Sequence, residues 1–98
     1  MQKVNGLYSL KDHVLCRIVE DEAVLLDLDS GQYYGLNNVG TRIWQLLGAG
    51  NSASSICELV VQEFEVAEAE AEADVEALIE MFLARRLLVS QREPRAAG

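Results

Sequence analysis

This chain has little of what most enzymes, secreted proteins and membrane proteins are built around. Its 98 residues include one histidine, one proline, two cysteines, and eight basic residues against sixteen acidic ones. His13 has no cysteine near it in sequence, and no CxxC or HxxxH spacing occurs, so no metal site is expected. There is no P-loop and no GxGxxG, and the scattered glycines suit turns and caps better than a phosphate cradle. No nucleophile stands beside a base. Asp27 and Asp29 share a face, but they read as exposed turn residues rather than an acid–base pair. An enzyme is therefore not expected, and neither is a cofactor. No run approaches the ~20 apolar residues of a membrane span, and the opening "MQKVNGLYSLKDH" lacks the apolar core of a signal peptide. The expected location is the cytoplasm. A net charge of −8 argues against bulk attraction to nucleic acid or to an anionic membrane. Cys16 and Cys57, far apart in apolar surroundings, read as buried, reduced thiols.

Half of the residues are apolar, enough for the core of one small domain. The pattern starts with period two. In "HVLCRIVE", Val14, Cys16 and Ile18 alternate with polar or solvent-facing positions, as in a strand. "EDE" at 20–22 marks a charged turn. "AVLLDLDS" is a second strand, with Val24, Leu26 and Leu28 expected on the inner face. "DSG" at 29–31 is a turn, with Gly31 able to supply a positive φ. "QYYGLN" is the third strand, with Tyr34 and Leu36 inward and Tyr33 outward. Short turns between three strands predict an antiparallel meander. Residues 1–12 fit either a loose arm or a short first strand.

The period then changes to that of a helix. Asn37 or Asn38 can cap a run holding Val39, Ile43, Trp44, Leu46 and Leu47, which "GAG" at 48–50 ends. Ser52 or Ser55 can cap a second helix with Ile56, Leu59, Val60 and Phe64 on its apolar side. A third helix begins within "EAEAEAEADVEALIEMFLARRLL", because Ala and Glu favour helix over strand. Val75, Leu78, Ile79 and Phe82 form one stripe; Ala77, Met81, Ala84 and Leu88 form an adjacent one, so a wide apolar arc is expected. Residues 1–90 read as one domain and 91–98 as a flexible tail. The fold class expected is α+β, winged-helix-turn-helix-like, a three-stranded antiparallel sheet followed by three helices.

The ordered set of motifs resembles the PqqD-like family. It comprises "AVLLDLDSGQYYGLNNVGTRIWQLL", the Ser-capped "SASSICELVVQEF", then "EV", then "DVEALIEMFLARRLLV". The resemblance covers roughly Val14 to Val89. It implies a leader-recognition domain of ribosomally made, modified peptides. Such a domain binds the leader of a precursor peptide and delivers the attached core to a modifying enzyme, such as a radical-SAM enzyme of pyrroloquinoline quinone synthesis or a leader peptidase and cyclase of a lasso-peptide pathway.

A physical route to such binding follows. The third strand of a meander has one neighbour, so its outer edge can accept an extended peptide. The rail would be Gln32, Tyr33, Tyr34, Gly35 and Leu36, with Gly35 permitting close approach. Val75, Leu78, Ile79 and Phe82 would form the wall, and Tyr34 and Leu36 the floor. Trp44 reads as core. Asp74, Glu76 and Glu80 form an acidic rim able to steer a basic partner, while Arg85 and Arg86 can instead pair with acids on a peptide. Two other readings compete. A winged-helix DNA-binding regulator needs basic residues on its reading helix, and "ASSICELVVQEFE" has none. A scaffold that dimerises by strand exchange would use the same open edge, so the expected state is a monomer or a strand-exchanged dimer.

Overall fold

The computed structural model describes residues 8–90. The elements run β1 (Tyr8–Leu10), β2 (Val14–Val19), β3 (Glu22–Asp27), β4 (Tyr33–Leu36), α1 (Asn38–Gly48), α2 (Ala53–Phe64), α3 (Glu68–Ala84) and β5 (Leu88–Ser90). The expected meander is present as an antiparallel sheet in the order β2-β3-β4, and three helices follow it. A second, two-stranded ribbon pairs β1 with β5, with Tyr8 opposite Ser90. So the first segment supplies a strand, and Leu88, expected to extend the helical stripe of α3, belongs to β5 instead. The tail expected at 91–98 lies outside the described residues.

Several elements start or stop for a local reason. The β2–β3 hairpin turns on Glu20 and Asp21 alone, both with positive φ (54° and 80°). Two positive φ values in a two-residue loop match the right-handed twist of the strands, although Asn-Gly is the usual sequence there. In α1, the Asn37 side chain accepts a hydrogen bond from the Gly40 N–H; in α2, the Ser52 hydroxyl accepts from the Ser55 N–H. Helix α3 ends with Arg86 at φ 63°. There the Leu87 N–H donates to the Phe82 carbonyl and the Arg86 N–H to the Leu83 carbonyl. This is the paired bonding of a Schellman ending, which normally places glycine where Arg86 stands.

The inner face of the sheet differs from the expectation by one residue. Ala23, Leu25 and Asp27 are buried, whereas Val24 and Leu28 are exposed. The pairings Leu25↔Tyr34 and Ala23↔Leu36 put Tyr34 and Leu36 on that same inner face. A strand's side chains alternate, so a one-residue error moves the whole set to the other side. Apolar content does not distinguish the two faces, because β3 carries leucine or valine on both. Val14, Cys16 and Ile18 do point to the inner side, but the helices cover β3 and β4 and leave β2 largely open; Cys16 and Ile18 are exposed.

The core joins Leu25, Ile43, Trp44, Leu47, Ile56, Val60, Val75, Phe82 and Leu87. At its centre Trp44 meets Phe82 edge-to-face, with centroids 5.0 Å apart and an interplanar angle of 75°. Such a pair adds about 1 kcal/mol beyond its buried area. The α3 arc is narrower than expected. Ala71, Val75, Ile79 and Phe82 are buried, Leu78 and Met81 are half-buried, and Ala77 and Ala84 are exposed. Gly48 lets β1 lie close to α1, since a Cβ there would meet Leu10 Cδ1 at 2.9 Å. On the surface, Arg42 donates Nε–H to Glu63 Oε1 at 2.8 Å and a second N–H to Oε2 at 3.1 Å, clasping α1 to α2.

One polar contact ties the sheet to the helices. The buried Thr41 hydroxyl accepts from the Ala23 N–H (2.8 Å) and donates to the Leu36 carbonyl (3.4 Å). It stands between the last pair of the β3–β4 ladder, where the chain leaves the sheet for α1. Thr41→Val keeps the shape and leaves both backbone groups unpaired in the interior, so it should cost about 2 kcal/mol; Thr41→Ser should cost much less. Chemical denaturation of the two variants measures this. The Glu20→Asn, Asp21→Gly double variant relieves the left-handed strain and should gain about 1 kcal/mol in the same assay.

Candidate functional site

The free edge of β4 is the first feature of the site. Among the described residues β4 pairs only with β3. In an antiparallel ladder, hydrogen-bonded and non-bonded pairs alternate. The Asp27 N–H donates to the Gln32 carbonyl at 2.9 Å, so Gln32, Tyr34 and Leu36 turn their backbone groups towards β3. Tyr33 and Gly35 then turn theirs outward. Of the expected rail from Gln32 to Leu36, the available donors and acceptors are those of Tyr33 and Gly35. A Cβ built on Gly35 would meet nothing within 4 Å, so the chain's own packing does not demand glycine there.

The side chains divide by face. Tyr33 is 69% exposed on the outer face, Tyr34 is half-buried on the inner face, and Leu36 is buried. The last turn of α3 approaches this inner side, with the Arg85 guanidinium 5.7 Å from the centroid of the Tyr34 ring. The expected wall is mostly core. Val75, Ile79 and Phe82 are at most 6% exposed, because the narrow α3 stripe is consumed in packing the helix onto the body of the protein. Leu78 alone of that set keeps partial exposure. Asp74, Glu76 and Glu80 are exposed on α3.

Beside Tyr34 lies a cleft of about 590 Å³, lined by Lys11, His13, Asp27, Asp29, Gln32 and Arg85 together with Ser30, Ala84 and Arg86. Several of these residues carried no signal in the sequence. Lys11 and His13 enter only because β1 and β2 bring their connecting loop against the end of α3, where the Lys11 N–H donates to the Leu87 carbonyl.

Asp27 is 5% exposed, which corrects its expectation as a surface turn residue; Asp29 is exposed as expected. The Asp27 Oδ1 accepts from the Asp29 N–H (2.9 Å) and the Ser30 N–H (3.3 Å), shaping the loop into β4. Burial pushes its carboxyl up, but hydrogen bonds from the Ser30 side chain and from these backbone N–H groups, with His13 nearby, hold it below the usual carboxylate range. His13 lies between two carboxylates, with Nε2 3.5 Å from Asp27 Oδ1 and Nδ1 3.8 Å from Asp29 Oδ2. The three residues offer ligand atoms within 4.8 Å of one another. The two ring nitrogens face different carboxylates, and Asp27 Oδ1 is already engaged by the Asp29 and Ser30 N–H groups.

A second hollow of about 520 Å³ lies between α2 and α3 and holds Cys57, Glu58, Glu68, Glu72 and Glu76. Burial first, then those four carboxylates, raise the Cys57 thiol above its ordinary value, which keeps it a weak nucleophile. Neither cysteine is disulfide-bonded. The expectation that both are buried fails, since Cys16 is exposed and Cys57 only half-buried. No helix among the described residues is long and apolar enough to cross a membrane.

Comparison with known proteins decides what this architecture is. The family described as Coenzyme PQQ synthesis protein D (PqqD) matches residues 22–88, which span β3 through the start of β5. The chain belongs to the PqqD family. Two solved structures share its fold. One is TbiB1 in complex with the TbiA(beta) leader peptide, 32% identical, covering 87% of this chain and 99% of that one, with a TM-score of 0.78. The other is lasso peptide synthetase B1 complexed with the leader peptide, 28% identical over 84% of this chain and 96% of that one, with a TM-score of 0.76. No curated protein sequence matches.

The buried aspartate gives this PqqD-family protein an acid-sensitive loop. Its folded pKa is lowered, so its contribution is complete above the unfolded value near 3.9 and is lost as pH falls through the lower folded value. Asp27→Asn keeps an acceptor for the Asp29 and Ser30 N–H groups but cannot titrate. The variant should therefore lose less stability than the parent as the pH falls below about 4, as read by denaturation at stepped pH.

Proposed function

We propose that this protein is a non-catalytic adaptor. It binds the leader segment of a ribosomally made precursor peptide and presents the attached core to a modifying enzyme. The observation that carries this reading is the unpaired edge of β4, in a PqqD-family chain that is 32% identical to a protein solved with a leader peptide. The leader adds as a strand alongside Tyr33 and Gly35, and those two residues supply the backbone bonds that hold it there. Gln32, Tyr34 and Leu36 shape the inner side of that track, Leu78 is the one residue of the expected wall that keeps surface to offer, and Val75, Ile79 and Phe82 belong to the core behind it. Both structural relatives come with leader peptides, and the second is a lasso peptide synthetase component. That favours a leader peptidase or cyclase over a radical-SAM enzyme as the partner. Residues 1–90 act as one recognition unit, a monomer when its edge is free, working in the cytoplasm.

Gly35→Pro removes an outward N–H while leaving the β3–β4 bonds intact. Tyr34→Pro would break the protein's own ladder and is therefore a poor test. Wild type should bind the precursor encoded beside it with micromolar or tighter affinity, and Gly35→Pro should weaken this at least about tenfold, with circular dichroism unchanged. Calorimetric titration that finds no saturable binding by the wild type would refute the reading.

A further inference from the structure

Charge on this protein is unevenly placed. Residues 8–90 hold five basic side chains, namely Lys11, Arg17, Arg42, Arg85 and Arg86. Three of them, Lys11, Arg85 and Arg86, line the cleft beside Tyr34. Arg42 is committed to Glu63. No carboxylate among the described residues pairs with Lys11, Arg85 or Arg86, on a chain with twice as many acids as bases. The cleft also holds two acids: Asp27 accepts from the Asp29 and Ser30 N–H groups, and the exposed Asp29 lies 3.8 Å from His13 Nδ1.

A helix C-terminus attracts cations by its dipole, and that accounts for basic residues near the end of α3. It does not account for Lys11, which arrives from the β1–β2 loop. It also does not account for the backbone of Arg86, which sits at φ 63° where a Schellman ending takes glycine. Arg86 carries its side chain at a cost in backbone energy, as Glu20, Asp21 and Glu65 do elsewhere.

The register of the edge says where the use lies. A strand bonded to Tyr33 and Gly35 places the residue between those bonds opposite Tyr34, with its side chain on the inner face. That face holds Tyr34, and Arg85 lies over the Tyr34 ring. We propose that Lys11, Arg85 and Arg86 form an acid-reading subsite, which receives an aspartate or glutamate of the bound leader at the position opposite Tyr34 or its inner-face neighbour Gln32. The inference rests on the strand-addition reading and adds to it the chemistry of one ligand position. Edge bonding alone accepts any extended peptide, so a charge-paired inner side chain supplies the register and the choice.

The test uses a displayed library of random twelve-residue peptides, selected on the full chain, with Gly35→Pro as the counter-selection. Peptides lost on Gly35→Pro should carry Asp or Glu at one position, and synthetic copies with that acid changed to Asn or Gln should bind about tenfold more weakly. Selection on the Arg85→Glu, Arg86→Glu variant should shift that position towards Lys or Arg. Arg86→Gly separates binding from folding. It should raise the melting temperature by a few degrees, since glycine suits the left-handed position, yet weaken the acidic peptides. A helix-ending role alone predicts the first change without the second. Edge-dependent binders with no acidic preference, or unaffected by Arg86→Gly and the double reversal, overturn the subsite and leave strand addition standing. If no edge-dependent binders emerge, both fall.

Discussion

The Thr41 hydroxyl holds together the two halves of this protein. It completes the end of the β3–β4 ladder by standing between the Ala23 N–H and the Leu36 carbonyl, both of them buried. Because Thr41 lies in the first turn of α1, the same contact fixes where the helix departs from the sheet. Asn37, the only residue between β4 and α1, caps that helix. The chain thus passes from strand to helix with almost no slack. The direction of α1 is set by the end of β4, and through Trp44 it sets where Phe82 and α3 must lie. The position of the α3 terminus over Tyr34 follows from this chain of contacts.

The economy of the apolar surface explains the rest. A domain this small spends nearly every large apolar residue of its helices on one core. Val75, Ile79 and Phe82 are therefore not free to line a groove, and the surface beside β4 is left to polar and charged groups from three separate segments. On the proposed strand addition, the outward groups of Tyr33 and Gly35 would supply the unspecific part of recognition, and side chains that the core does not need, such as Arg85 and Arg86, would make the edge selective. The strain held at Arg86 is affordable because the paired bonds to Phe82 and Leu83 close the helix with or without glycine.

Much of the fold was legible. The three strands, their turns, the Asn and Ser caps and the three helices follow from period and capping chemistry that act over a few residues. The ordered motifs also carried the family resemblance. The site was legible only in part. Gly35 and the tyrosines marked the strand, and a meander of three strands necessarily leaves its last one with a free side. The inner face of β3 differs from expectation because Leu25 and Leu26 are equally apolar neighbours, and nothing local says which one enters the core. Lys11 and His13 gave no sign of joining Arg85, since they lie more than seventy residues away in sequence.

By itself, the sequence determined the three strands of the meander, the three helices and their capping residues, and that the chain is acidic, because each of these depends on composition or on neighbours within one turn or one strand. Tertiary structure alone decided which stripe of α3 is core, that β1 and β5 pair, that Asp27 is buried, and that three cations meet beside an open edge. Those outcomes depend on how elements distant in sequence share a limited apolar area, and no local pattern encodes that division.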